Sequence, residues 1–569
     1  MSFQNTTSNL DYNHPIRSPS TVMKLDRLGS FHQSRLSFTR RLIDDLKYQK
    51  SKIEIYQWDI DNSGIGSAII KITLKKETLS LVIFCHSIND EERTDRVIAE
   101  KWDMTFSLFK GIPNKNELNQ LSKNLKIQES GRHNSKQLTL SRANKSQRIF
   151  EKVLNDLSIG KQPSEKLIND VGYLVRTTAV YGNGKFGIED FSQTNGHIFL
   201  QKPFQAEMLT VYLVRYFSIE LINFLAKKKG GKKSVILSKY LTKHLGVGNA
   251  TGLGMAPFLV NHQELIHQWI YNRETAISRV FSIKRLNKKT QNKIINYIHQ
   301  AFKYSLQWKV DDKLQSKKIE KLNLDLKKIL QNEELTKLLN FDYPIKRFFN
   351  FFKDDITLET QEILNSIFIE PFPELLEDLI NNMGAEEKKS VLISYTVNDI
   401  LEIIKDNFNW AIKIDTSKPE ENYCFWYTSQ TKLEPRLGIT KKDAGIEKQL
   451  PFDIAHQIKQ AVNTLNKLPS NMTAAEVMIN HPELRNIIKR VIINKSMPYS
   501  EIQNNLIGKD MKPIDILRCK LSFFGASKYD PKSNLWTRIT LFQGAPLPNE
   551  LWKKNINDWL FPNLSNVSL

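Results

Sequence analysis

The chain carries a glycine-rich stretch, GVGNATGLGMAPFLVNH, that runs from Gly246 to His262. Glycines allow positive φ and let a backbone approach a ligand closely, and successive amides can form a nest for an anion. We therefore predict a loop that binds a phosphate or carboxylate group, although a tight packing loop explains the same glycines equally well. The predicted ligand-binding residues of this stretch are Gly248, Asn249, Thr251, Gly252 and Gly254.

The spacing of these glycines, G-x-G-x-x-x-G-x-G, matches neither of two common phosphate-binding motifs. A P-loop needs Gly-Lys-Ser/Thr after its glycines, and the dinucleotide fingerprint needs another spacing behind an apolar strand. The chain also lacks the H-E-x-x-H of zinc proteases and the G-x-S-x-G of serine hydrolases. We therefore predict no metal site, and the sequence indicates no particular cofactor.

A second glycine cluster, RTTAVYGNGKFG, spans Arg176 to Gly187. We predict that Arg176 ends an apolar helix and that Lys185 stands on a stiff turn, so that both supply positive charge to the same anionic ligand. Arg176 has two simpler interpretations. It neutralises the C-terminus of the helix, or it forms an ion pair with an acid such as Glu207.

Two candidate catalytic residues, His32 and Arg35, lie in the segment SFHQSRLSFTRR. The pattern from Met23 onward is typical of a helix, on which His32, Arg35 and Thr39 would share one face. Such a face would place a proton-transferring imidazole beside a cation. A histidine near the start of a helix is also often structural, held by a backbone carbonyl. We expect acidic residues of a later helix, among them Asp103, to pair with this cationic face.

The composition is that of a folded and basic protein. The 569 residues include 40% hydrophobic and 25% charged residues, with a formal net charge of +21, and this length suits roughly two to four domains. A basic balance favours anionic partners, but lysine also accumulates on solvated surfaces. Nucleic acid is therefore a second possible partner, although no nucleic-acid-binding motif accompanies the charge.

The cysteines indicate the compartment. Cys85, Cys424 and Cys519 are widely spaced and form no C-x-x-C pair, which favours a reducing environment. The polar N-terminus shows no secretory signal, and no apolar run reaches the ~20 residues that a membrane span needs. We therefore predict a cytoplasmic protein without a transmembrane segment, and the sequence leaves its oligomeric state open.

The patterns predict an α+β protein that is predominantly helical. Strand patterns after residue 50 indicate an antiparallel β-meander with helices, followed by a helical middle region and a C-terminal α+β region. The expected limits are a flexible tail at 1–22, an N-terminal α+β domain at 23–280, a lysine-rich helical region at 281–400 and a C-terminal α+β domain at 401–569. Residues 90–109 are expected to be helical, and residues 410–415 to form a strand.

Together these observations favour an enzyme of unassigned reaction class that binds an anionic small molecule. Arg176, Lys185 and the stretch from Gly248 to Gly254 would bind the ligand, and His32 would transfer protons. The alternative is a nucleic-acid-binding or protein-interaction protein that uses a basic helical surface. A structural scaffold without any ligand is a third possibility.

Overall fold

The structure, a computed structural model, describes most of the chain, and helices account for most of its regular structure. A large curled sheet and a small sheet complete the architecture. The described residues are 14–22, 27, 30–89, 102–124, 136–181, 199–200, 202, 204–249, 263–308, 313–382, 394–415, 425–429, 435–438, 447–496, 522–531, 537–553, 556 and 558–562.

Six consecutive strands form an antiparallel meander, and the first three of them are the strands that the sequence predicts. Each strand pairs with the next along the chain, so the order in the sheet follows the order in the sequence. Asp61 stabilises the first turn, because its carboxylate accepts hydrogen bonds from the amides of Ser63 and Ile65. The six strands are β1 (Lys52–Ile60), β2 (Gly66–Thr73), β3 (Thr78–Ser87), β4 (Trp102–Lys110), β5 (Leu140–Lys145) and β6 (Tyr173–Tyr181).

The helix expected at residues 90–109 is wrong over its described part, which forms β4. Met104, Phe106 and Leu108 point into the main core, whereas Phe109 packs in a small cluster on the other face. This period of two defines a strand. The alternation is visible in the sequence, since the polar residues Asp103, Thr105 and Ser107 lie between these apolar residues and face the other side. Residues 90–101 lie outside the described part of the chain.

Beyond the meander the sheet becomes mixed. β7 (Gly246–Asn249) runs parallel to β6, and β12 (Thr537–Leu541) and β11 (Ala526–Pro531) follow in the nine-stranded order β1-β2-β3-β4-β5-β6-β7-β12-β11. Two late strands thus extend the N-terminal sheet. The small antiparallel sheet contains β8 (Phe425–Ser429), β9 (Pro435–Gly438) and β10 (Glu447–Gln449).

The helices lie before, between and after the strands, and the middle region from residue 263 to residue 382 contains no described strand. The helices are α1 (Pro19–Val22), α2 (Phe38–Tyr48), α3 (Lys115–Asn124), α4 (Phe150–Ser158), α5 (Glu165–Val171), α6 (Gln205–Gly230), α7 (Lys239–Lys243), α8 (Gln263–Phe281), α9 (Lys288–Ser305), α10 (Lys313–Leu330), α11 (Glu334–Leu338), α12 (Pro344–Phe352), α13 (Leu358–Ile369), α14 (Glu377–Asn382), α15 (Val397–Asn407), α16 (Asn409–Lys413), α17 (Leu450–Leu465), α18 (Ala474–Asn480) and α19 (Arg485–Ser496).

The strand expected at residues 410–415 is wrong, because most of these residues lie in α16. Phe408, Ala411 and Ile414 are all buried in one core and are spaced by three residues. That spacing places them on one side of a helix, whereas a strand would turn every second residue to the same face. The predicted helical middle region and the mixture of helices and strands between residues 397 and 496 agree with the structure.

α6 lies against the curled sheet and is buried along most of its length. It contacts α2, α4, β4, β6 and β7, because a helix that is apolar on nearly all sides needs cover on nearly all sides. The span Gln205–Lys233 is long and apolar enough to cross a membrane by length and composition. Within its most apolar stretch, 78% is buried inside the protein, and the core helix of a globular domain meets the same criterion.

Two hydrophobic cores organise the described residues. The main core joins the large sheet, α6 and the middle helices to residues 523–561, and the second core is built from residues 397–492. The second core therefore contains α15 to α19. The domain limits at residues 22, 280 and 400 stay predictions, since a shared core shows which residues pack together and not which segments fold alone.

Candidate functional site: a polar row across the sheet

A row of polar residues crosses the face of the large sheet that lies opposite α6. His86 on β3 pairs in register with Asp103 on β4. Asn144 on β5 pairs with Arg176 on β6, which pairs in turn with Gly248 on β7. Directly paired residues project on the same face of a sheet. Strand register thus assembles these five residues, which we call the sheet row, from separate parts of the chain.

Asp103 has no exposed side-chain surface. Arg142 donates to its Oδ2 through Nε at 2.6 Å and also through Nη2, and Asn144 donates to its Oδ1 at 3.1 Å. Burial raises the pKa of Asp103, although the Arg142 guanidinium opposes this shift. The carboxylate is thus fixed by two donors from β5 and has little contact with water.

His86 lies beside Asp103 and reaches the solvent. Its Nε2 is 3.8 Å from Asp103 Oδ2, and 37% of the side chain is exposed. This distance is longer than a hydrogen bond, so Asp103 acts on the imidazole through its charge, which favours the protonated ring. His86 and Asp103 thus bring together the residue types that a general acid–base and its partner use.

Arg176 lies within β6 and not at the end of a helix, so that prediction is wrong. The preceding helix α5 ends at Val171, because Gly172 adopts a left-handed conformation with a φ of 80°. The Arg176 side chain is half-buried. Glu207, the ion-pair partner considered from the sequence, belongs to α6, which packs on the opposite face of the sheet.

Gly248 lies in a strand, so the predicted loop is wrong over its first four residues. A Cβ atom on Gly248 would lie 2.8 Å from ring atoms of Tyr173, which is closer than side chains tolerate. Glycine therefore lets the Tyr173 ring pack against β7. Thr177 Oγ1 also donates to the Gly248 carbonyl at 3.4 Å. These contacts give Gly248 a packing role, the second of the two interpretations that the sequence allows.

Both glycine-rich stretches of the sequence continue from the C-terminal ends of β6 and β7. These two strands are parallel neighbours. C-terminal ends of neighbouring parallel strands open at the same edge of a sheet, where α/β proteins commonly bind ligands. The residues predicted to bind the ligand that lie outside the described part of the chain are Lys185, Thr251, Gly252 and Gly254, together with the side chain of Asn249.

His32 and Arg35 lie against α13 and not in the sheet row. Both precede α2, so the predicted shared helix face is wrong. His32 Nε2 is 3.2 Å from Glu359 Oε1, and the His32 ring stacks on Trp308 with 5.7 Å between ring centroids. Arg35 Nε donates to the Glu370 carbonyl at 3.1 Å. Since both side chains are buried, their contacts favour the structural interpretation.

A network of arginines around two buried glutamates lies nearby, and we call it the arginine clasp. It contains Arg17, Arg27, Arg273, Glu274 and Glu362. Glu362 accepts hydrogen bonds from Arg17 and Arg27 at 2.8 Å each and from Arg273 at 2.6 Å. Burial would raise the pKa of Glu362, but Arg17 and Arg273 hold it well below its usual range. The clasp therefore ties the N-terminal segment to α8 and α13 through paired charges.

Sequence reasoning missed His86 and misplaced Asp103. Asp103 pairs with Arg142 and not, as expected, with the segment around His32. The alternation of β4 is the signal that identifies the strand, but only the register with β3 brings Asp103 to His86. Cys85 is the neighbour of His86 in the chain, and burial raises the pKa of its thiol, so this cysteine is not an activated nucleophile.

Among the described residues, no group of three or more His, Cys, Asp or Glu side chains is arranged to hold a metal ion. Comparison of the chain with models of protein families, with curated proteins and with solved structures finds no match.

Proposed function

We propose that the protein binds an anionic small molecule, bearing phosphate or carboxylate, on the outer face of the large sheet. The parallel pairing of β6 and β7 is the main support for this proposal, because Arg176 lies beside Gly248. The C-terminal ends of both strands also point to the same edge of the sheet, where α/β proteins commonly bind ligands. Arg176 supplies a guanidinium fork that can donate to two ligand oxygens. The Tyr173 ring packs over Gly248, so the guanidinium of Arg176, and not the Gly248 backbone, is the proposed contact with the ligand.

We further propose an enzymatic role in which His86 transfers protons. His86 is partly exposed and has Asp103 at 3.8 Å, whereas His32 is buried between Glu359 and Trp308. Three strand steps separate His86 from Arg176, which is roughly 14 Å at ~4.8 Å per step. An extended ligand whose charged group binds Arg176 would thus present a second group to His86. The reaction class is left unassigned.

A cytoplasmic location is part of the proposal. Cys85 is a free, buried cysteine, which suits a reducing compartment. The proposal also treats α6 as a core helix. In support, Arg215 of α6 donates to the carbonyls of Leu245 at 2.6 Å and Pro546 at 3.4 Å, and Tyr212 donates to Pro546 as well. These contacts tie α6 to other parts of the protein.

A thermal-shift screen with phosphate- and carboxylate-bearing metabolites tests the proposed function. A ligand that binds only the folded state raises the unfolding temperature by mass action. We expect at least one such compound to stabilise the wild-type chain, and Arg176→Ala to abolish that stabilisation. The matched control is Arg285→Ala, because Arg285 is 80% exposed and pairs only with Asp342 among the described acids. This control should respond to the ligand as the wild type does.

Salt separates the proposed function from the nucleic-acid alternative. Binding of a small anion to a guanidinium beside β7 should depend weakly on ionic strength, whereas binding of a polyanion falls steeply through counterion release. Stabilisation by oligonucleotides alone, lost at high salt and unaffected by Arg176→Ala, would contradict the proposal. The absence of any stabilising metabolite would contradict it as well.

A further inference from the structure

A cluster of exposed lysines lies where α6 ends and α7 begins, beside the end of α4. We call this surface the basic tip. Every one of its lysines is exposed. The lysines are Lys161, Lys227, Lys228, Lys229, Lys232, Lys233 and Lys239.

The lysines of the basic tip form no ion pair with any carboxylate in the described part of the chain. Lys229 Nζ instead donates to Asn155 Oδ1 at 2.6 Å, and Lys228 Nζ lies 5.5 Å from the centroid of the Phe224 ring. Two acids accompany this surface: Asp156 lies in α4, and Glu165 contributes, after burial, to raising the pKa of Tyr240. The surface is therefore strongly positive.

Exposed apolar side chains accompany the lysines. Ile236 is 71% exposed and Ile159 is 62% exposed, and Val235 and Tyr240 are exposed beside them. Backbone contacts bring these two segments together, since the Val235 amide donates to the Leu157 carbonyl at 3.0 Å. An exposed aliphatic side chain lacks the favourable free energy that burial of apolar surface provides. A surface that combines such side chains with lysines is therefore typical of a docking site.

The basic tip is held firmly against the end of α4. A Cβ atom on Gly230 would lie 1.9 Å from the Ser158 carbonyl oxygen, so only glycine permits this close approach. Gly231 follows with a φ of 56°, a left-handed conformation that favours glycine. The pair Gly230-Gly231 therefore turns the chain sharply and presents lysines on both sides of the turn.

Helix-terminal chemistry explains only part of this arrangement. Lys227, Lys228 and Lys229 lie in the last turn of α6, where cations interact favourably with the helix dipole. That interaction does not explain Lys232 and Lys233 beyond the helix end, and it does not explain the exposed isoleucines. Charge and apolar surface must therefore be considered together.

We propose that the basic tip docks on the surface of a membrane that contains anionic lipids. The lysines would lie among the headgroup phosphates, and Ile159 and Ile236 would enter the boundary between headgroups and acyl chains. Membrane is favoured over nucleic acid because a phosphodiester backbone offers no partner for two exposed isoleucines. This surface shares no residue with the sheet row, so each of the two proposals can be tested without the other.

Vesicle co-sedimentation of the full-length chain tests the proposal. The probes are phosphatidylcholine vesicles and phosphatidylcholine vesicles with about 30% phosphatidylserine. We expect binding to the anionic vesicles and not to the neutral ones, with a steep fall as salt rises. The triple variant Lys228→Glu, Lys232→Glu, Lys233→Glu should bind the anionic vesicles at least about tenfold more weakly.

Two further variants make the result specific. The pair Ile159→Ser and Ile236→Ser should weaken vesicle binding about tenfold or more without any change of charge. The matched charge control is Lys110→Glu, Lys115→Glu, Lys123→Glu at the end of β4 and on α3, where the lysines are exposed and the large apolar side chains are not, and it should bind as the wild type does. Unchanged unfolding temperatures confirm that all variants fold.

Three outcomes would overturn the proposal. The first is no binding to anionic vesicles at low salt. The second is equal loss of binding in the charge control, which would show that total charge alone is responsible. The third is competition by duplex DNA together with no effect of the isoleucine pair, which would identify the basic tip as a nucleic-acid surface.

Discussion

The arginine clasp and the sheet row both bury a carboxylate under guanidinium groups, but their surroundings differ. In the clasp, Glu362 accepts from three arginines and is fully enclosed by the protein. In the sheet row, Arg142 and Asn144 fix Asp103 from one side only, while His86 connects it to the solvent. One carboxylate is thus saturated by structural partners, and the other has an exposed titratable neighbour.

This difference separates structural charge from functional charge. The number of buried cations is larger in the clasp, yet each of its groups is compensated by another group of the protein. A site for a ligand needs a charged or proton-transferring group that incoming molecules can reach. By that criterion the sheet row is the better candidate, and His32 and Arg35, which pack on the same helix as the clasp, are not.

The largest predicted effect is the loss of stability in Glu362→Gln. The substitution leaves three guanidinium groups around a neutral amide, and breaking a buried ion pair on one side costs about 3–5 kcal/mol. Denaturant unfolding measures the change. The matched control is Glu377→Gln on the exposed start of α14, which should leave the free energy of unfolding nearly unchanged. A loss no larger than that of the control would contradict a structural role for the clasp.

The pH dependence of stability should also distinguish Glu362 of the clasp from Asp103 of the sheet row. The pKa of Glu362 is lowered by folding from its ordinary value of 4.5, so the unfolded chain takes up this proton first as pH falls. Below about pH 4.5 the clasp should therefore lose stability by about 1.4 kcal/mol per pH unit. For Asp103 the change of stability with pH has the opposite sign. Its pKa is raised by folding, so protonation at low pH stabilises the folded state. Unfolding measured between pH 6 and pH 2.5, with roughly half-unit steps, should show a smaller acid slope in Glu362→Gln than in the wild type.

Gly248→Ala distinguishes packing from ligand binding within the sheet row. The new Cβ would meet the Tyr173 ring at 2.8 Å, and overpacking of this kind costs about 1–3 kcal/mol. Adding Tyr173→Leu should restore part of the stability, since it removes the ring. Full stability with lost ligand response would instead mean that Gly248 serves only the approach of the ligand.

The smallest predicted effect on stability is that of Asp103→Asn. Burial already disfavours the charged form of Asp103, and an amide keeps an oxygen that can accept from Arg142, which is partly exposed. We expect a loss of about 1 kcal/mol or less. Activity at His86 should fall far more, because the imidazole loses its positioning carboxylate. A destabilisation as large as that of Glu362→Gln would place Asp103 in the structural class.

The sequence predicts the parts of the fold that local patterns determine. The first three strands of the meander, the helical middle region and the helix DIAHQIKQAVNTL within α17 follow from periodicity and turn residues. β4, β6 and β7 are missed. β6 begins two residues after α5, so its apolar residues continue a helical pattern, and β7 is glycine-rich and only four residues long. All three are strands because they pair with neighbouring strands, and local patterns do not contain this pairing.

The candidate site shows the same limit. The sequence predicts that Arg176 and Gly248 bind the same anionic ligand. The register of β6 with β7 does place the two residues side by side. His86 and Asp103 belong to different segments and meet only through strand pairing. His32 and Arg35 are chosen for a helical face that does not form, because α2 begins only at Phe38.

The most direct test measures ligand-induced stabilisation of Arg176→Ala and Glu362→Gln in parallel, using the anionic compound that best stabilises the wild type. The comparison predicts that Arg176→Ala keeps the unliganded unfolding temperature within about 2 °C of the wild type and loses the response to the ligand. Glu362→Gln should unfold at a clearly lower temperature and keep the response. An Arg176→Ala protein that still responds fully to the ligand would contradict the assignment of the sheet row as the binding site.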